Sequence, residues 1–156
     1  MFINIILVGI LSCAILDFWQ RLLLVLLGIA PTNWGLVGRW FILFIKTQVW
    51  INNGLSEQSE KKNELVVGWI FHYAVSISYA GLFVFLWTQK IVQAGFTGGL
   101  LFGIISVIVP WFFFMPALGA GVLGTKTESP IKACVLAFLA HAIYGSAIGI
   151  LVSVLF

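Results

Sequence analysis

Residues 2–28 read FINIILVGILSCAILDFWQRLLLVLLG, an apolar run interrupted by one acid, Asp17, and one base, Arg21. A helix needs about 20 residues to cross a hydrocarbon layer about 30 Å thick, and it satisfies its own backbone polar groups on the way. This run is long enough. Three further stretches share the property: Leu65 to Trp87, Phe96 to Gly124 and Ile131 to Phe156. The expected fold is therefore all-α, an integral membrane bundle of four transmembrane helices forming a single domain over residues 1–156.

Composition supports that reading. Hydrophobic residues make up 62% of the chain and charged ones 8%, and the mean hydropathy is +1.13. Such a chain falls outside the range of soluble domains. The longest polar connection, about Lys46 to Glu64, is too short to fold as a second domain. The first run lacks a basic leading region and an A-x-A cleavage pattern, so an uncleaved first span is expected rather than a secretory signal. Cys13 and Cys134 should sit at different depths, which argues against a disulfide.

The net charge of +3 reports topology. The basic residues form no stripe suited to a phosphate backbone, so no nucleic-acid partner is expected. Arg39, Lys46, Lys61 and Lys62 lie in the first connection and Lys126 and Lys132 in the third, whereas the second has only Lys90 and the C-terminal end has none. By the positive-inside rule the first and third connections are cytoplasmic and both termini lie outside the cytoplasm. Between the first two spans, residues 34–45 (WGLVGRWFILFI) are apolar but too short to cross. They read as a short interfacial helix, with Trp34, Trp40 and Trp50 as aromatic anchors and Arg39 and Lys46 reaching head groups.

In the third span, Pro110 and Pro116 each remove a backbone donor and free a carbonyl one turn earlier, so the helix should bend or unwind there. Small residues recur every four positions: Gly68, Ser76 and Ala80 around His72, and Ala137, Gly145, Gly149 and Ser153 around His141, with Gly99 and Gly103 on the third span. These are packing seams that let backbones approach closely.

The polar exceptions inside the spans carry the functional question. Asp17 and Arg21, four residues apart, share a helix face and can pair, which makes them either a structural anchor or a proton or cation site. His72, Ser76 and Tyr79 lie along one stretch of the second span, and His141 sits well inside the fourth. Each histidine is either a neutral, hydrogen-bonded packing residue or a group that titrates near neutral pH. Asp17, Arg21, His72, Ser76, Tyr79 and His141 are thus the candidates for a ligand or proton site in the cytoplasm-facing half. No metal site is expected, since the two histidines and the aspartate come from three helices without a preset ligand spacing. No catalytic residues or cofactor are expected either: GxSxG, a Cys beside a His and a phosphate-binding glycine loop are all missing.

Several segments carry a family resemblance: DFWQRLL (17–23), PTNWGLVGRW (31–40), ELVVGWIFHYAVSISYA (64–80), PWFFFMPALGAG (110–121) and LAHAIYG around His141. In this order the chain resembles the domain of unknown function family 2938, small bacterial membrane proteins. The resemblance implies a four-span inner-membrane protein and no established activity. Asp17, Arg39, Trp40, Gly68, His72, Tyr73, Pro110, Pro116, Gly119 and His141 match its pattern, with Trp69 beside them. The first loop of the family often carries a further histidine, which this chain lacks between Arg39 and Glu64.

Taken together, the residues point to a polytopic membrane protein that binds or passes a small solute with proton coupling. The alternatives are a structural or accessory membrane protein and a lipid-modifying enzyme with His72 and His141 as acid and base. Membrane lipids, a small-molecule ligand and a second copy of the chain are the expected partners.

Overall fold

The computed structural model describes residues 1–156. It is all-helical, and four of its helical segments are long and apolar enough to cross a membrane: Phe2–Leu27, Glu64–Thr88, Phe96–Ala117 and Pro130–Leu155. We number the α-helices α1 (Phe2–Leu27), α2 (Trp34–Thr47), α3 (Glu64–Thr88), α4 (Phe96–Ser106), α5 (Met115–Ala117) and α6 (Pro130–Leu155).

Local chemistry sets the boundaries. α1 stops because Gly28 takes a left-handed conformation, φ 65°, which lets its N–H donate to the Leu24 carbonyl and the Ile29 N–H to that of Leu23. A residue with a Cβ resists that conformation. Pro31 then keeps the chain from resuming a helix. Helix α2 starts at Trp34 because the Asn33 side chain accepts from the Leu36 N–H at 3.1 Å. This bond satisfies a donor that the first turn leaves open.

The third span is interrupted, as its prolines require. Pro110 has no N–H to offer the carbonyl four residues earlier, that of Ser106, and α4 ends at Ser106. A π-helix, Pro110–Phe114, follows, closed by the Met115 N–H donating to the Pro110 carbonyl. The span ends at Ala117, which corrects the expected end at Gly124, where only a short 3-10 turn, Val122–Gly124, remains. The apolar sequence LGAGVLG looked like more span, but Gly119, Gly121, Leu123 and Gly124 all have positive φ, so the segment turns.

The contacts gather into two compact units. The first comprises Met1–Thr32, Tyr73–Ser106 and Phe138–Phe156, and the second Asn33–His72 and Val107–Ala137. Helices α3 and α6 each contribute residues to both. The core of the first is built from Val8, Leu16, Ala80, Phe83, Val84, Phe102, Tyr144, Ile148 and Val152. In this unit α4 and α6 meet through glycines. A Cβ built on Gly149 would lie 2.6 Å from the Gly99 Cα, and one on Gly145 would lie 2.5 Å from the Gly103 Cα. The Gly95 N–H also donates across to the Gly149 carbonyl at 2.8 Å.

The core of the second unit is Trp40, Leu55 and Ala117, with Phe41, Phe44, Phe71 and Phe114 packed against it. Trp40 stacks on Phe44 at 5.6 Å and meets Phe71 and Phe114 edge-on. Its indole N–H donates to the Trp50 carbonyl at 2.8 Å. Gly38 and Gly68 bring α2 and the start of α3 together, since a Cβ on Gly38 would lie 2.7 Å from the Gly68 nitrogen.

Candidate functional site

The first unit holds a series of polar side chains on helices otherwise built to meet hydrocarbon. On α1, the half-buried Asp17 accepts a hydrogen bond from the Tyr73 hydroxyl of α3 at 3.1 Å. Cys13, one turn earlier and fully buried, has its sulfur within 4.8 Å of an Asp17 carboxylate oxygen. Three residues along α3 from Tyr73, Ser76 donates to the Gly9 carbonyl of α1 at 2.7 Å. Its oxygen lies 2.8 Å from the Tyr144 hydroxyl of α6, and that hydroxyl also reaches the Ser76 carbonyl at 2.9 Å. Gly9 allows this approach: a Cβ there would lie 2.6 Å from the Ile77 Cα.

One turn before Tyr144, His141 presents Nδ1 to the Ser106 oxygen of α4 at 2.7 Å. Tyr79 packs edge-on against the His141 ring at 6.3 Å and the Tyr144 ring at 6.2 Å. Ser12 adds a fully buried hydroxyl oxygen with no hydrogen-bond partner. Such an oxygen is costly in an apolar interior unless something supplies a bond.

Ser76, Tyr79 and His141 come together around Tyr144. Asp17 is bonded to Tyr73 in the same unit, and Arg21 is exposed on the helix surface. His72 belongs to the second unit, buried and stacked on Trp34 with ring centroids 3.7 Å apart and planes at 23°, with Trp69 tilted against both. Pro110 opens the π-helix, Pro116 lies in the short α5 after it, and Gly119 lies in the turn beyond.

Sequence reasoning missed Tyr144 and Ser106 as members of the set, and treated Tyr73 only as a family position. A signal was present for Tyr144, which lies three residues after His141 and so on the same helix face. It also missed the clasp of the second unit. Buried Arg39 gives Nε and Nη2 to the two carboxylate oxygens of Glu64, both at 2.8 Å, and Nη1 to the Gln58 carbonyl at 2.6 Å and the Leu55 carbonyl at 3.3 Å. Glu64 also accepts from the Lys61 N–H at 2.7 Å. Hydrogen bonding to Glu64 holds the Arg39 pKa above its usual value, as expected for a two-pronged guanidinium–carboxylate pair. Arg39, expected to reach head groups, instead ties the polar loop to the start of α3.

Four apolar helices, an amphipathic fifth between the first two, and polar side chains bonded to one another within the spans define a multi-pass α-helical membrane protein. The chain belongs to the family described as protein of unknown function (DUF2938), whose model matches residues 6–156. No curated protein and no solved structure matches the chain.

Proposed function

We propose that this chain is a bacterial inner-membrane protein that binds or passes a small solute with proton coupling, through the polar residues of its first unit. The observation that carries the reading is the side-chain series Asp17–Tyr73, Ser76–Tyr144 and His141–Ser106, set within helices that span by length and apolarity. Ionisable groups in such helices are expensive to keep and usually serve ion or substrate handling. The distribution of lysine and arginine supports cytoplasmic first and third connections, with both termini outside. A reporter fused after Phe156 is then active only outside the cytoplasm, and cytoplasmic activity overturns that orientation.

The test of function is current across liposomes containing the purified full chain, recorded for a panel of small solutes with and without a pH gradient. Solute-dependent current that follows the pH gradient is expected, lost in Asp17→Asn and reduced in His141→Gln while both variants remain folded and abundant. Absence of current for every solute overturns passage, and absence of saturable solute binding as well overturns the reading in favour of the accessory one. That second reading draws on the Ser76–Tyr144 pair, whose bonds tie α1, α3 and α6 together as a packing device would.

A further inference from the structure

Ser106 lies 2.7 Å from two atoms at once, the Gly103 carbonyl oxygen and His141 Nδ1. A hydroxyl has one hydrogen, and a carbonyl oxygen can only accept. The Ser106 hydrogen therefore goes to Gly103, and the hydrogen in the second contact comes from Nδ1. The opposite arrangement would press the lone pairs of the hydroxyl and carbonyl oxygens together at 2.7 Å. A neutral imidazole carries one N–H, so with Nδ1 protonated the other nitrogen, Nε2, is a bare acceptor. The only side-chain hydrogen bond of His141 is the one to Ser106, and Nε2 receives none from the protein.

The surroundings narrow what such a nitrogen can take. Within the first unit the ring is met edge-on by Tyr79, which in turn meets Phe102 at 6.0 Å and Tyr144 at 6.2 Å. Neither Phe96–Ser106 nor Phe138–Phe156, the stretches of α4 and α6 in this unit, contains a lysine or arginine. A lone pair among aromatic edges, with no cation on α4 or on the stretch of α6 in this unit, favours a hydrogen-bond donor and disfavours a carboxylate or phosphate.

We propose that His141 Nε2 is the acceptor of a binding site for a small, largely apolar solute bearing a hydroxyl hydrogen, and that Ser106 is the positioning residue that fixes the histidine tautomer. This inference deepens the solute-binding reading above and rests on it.

Nitrogen NMR of the full chain, labelled with 15N-histidine and held in lipid nanodiscs, tests it with phenol as probe and anisole, which has no hydroxyl hydrogen, as control. The expected result is an Nδ1–H tautomer for His141, a saturable shift of Nε2 with phenol and no saturable shift with anisole. Ser106→Ala mixes the tautomers and weakens phenol binding about fivefold, the worth of one hydrogen bond, whereas Ser106→Thr keeps both properties. If Ser106→Ala does not fold, the phenol and anisole titrations of the unaltered chain decide alone. An Nε2–H tautomer overturns the assignment. An Nδ1–H tautomer with no saturable phenol response overturns the site, while solute current, if present, keeps the transport reading. Saturable phenol binding without current for any solute keeps the site and removes transport.

Discussion

Two buried polar arrangements in this protein differ in how completely they are satisfied. In the second unit, Arg39 bonds to Glu64, Leu55 and Gln58, and Glu64 takes a further bond from Lys61. Each charged group there is met on several sides. In the first unit, Ser12 keeps an oxygen with no partner and His141 an open nitrogen. A saturated group stabilises a fold and has little left to offer a ligand. An open one costs stability and stays available, which is how binding sites usually differ from structural clasps.

Substitutions can break or sharpen that contrast. The largest loss is expected for Arg39→Ala, because it strands a carboxylate with low exposure and two carbonyls. The folded fraction in mild detergent should collapse, and Arg39→Met with Glu64→Leu should recover more of it than Arg39→Ala alone retains. If the single variant stays fully folded, the clasp is not structural. Next comes Gly145→Ala, whose new Cβ meets Gly103 on α4. It should cost about 1–3 kcal/mol in SDS unfolding followed by circular dichroism, and a neutral result would show that the α4–α6 seam is looser than described.

Ser76→Ala should cost about 1 kcal/mol by the same measurement, since it removes the donor to Gly9 while leaving Tyr144 bonded to the residue 76 carbonyl. The smallest effect, and of opposite sign, belongs to Ser12→Ala, which removes an unpartnered buried oxygen and should stabilise by up to about 1 kcal/mol. A loss of stability instead would mean that the Ser12 hydroxyl is bonded in the membrane to a water or ligand.

Much of the fold was legible in the sequence, because spans are set by an additive quantity. Hydropathy over about 20 residues identified four segments long and apolar enough to cross, and the short run 34–45 was kept apart from them and forms a helix of its own, Trp34–Thr47. The end of the third span was not legible. Leu118 to Gly124 is apolar enough to read as helix, and only its glycines hint at left-handed turns that hydropathy does not register. The site was legible in part. Ser76, Tyr79 and His141 were named and lie around one tyrosine, and Asp17, also named, takes a bond from Tyr73, whose role was not foreseen. Arg39 and Glu64 are 25 residues apart, and such a pairing follows from where Gly38 and Gly68 bring backbones together, which helical periodicity along either segment alone does not encode.

The π-helix at Pro110–Phe114 bears on how the third span can vary in length. One π turn holds one residue more than an α turn, so this stretch amounts to a residue inserted into a helix and absorbed locally. Deleting one residue there can restore an ordinary turn and still leave Phe96–Ser106 and Met115–Ala117 in their present helical forms. A deletion inside α1, α3 or α6 has no such slack, and would turn every following side chain by about 100° around the helix. In this chain the third span is the one that carries a residue it can lose without a change in the helical form on either side.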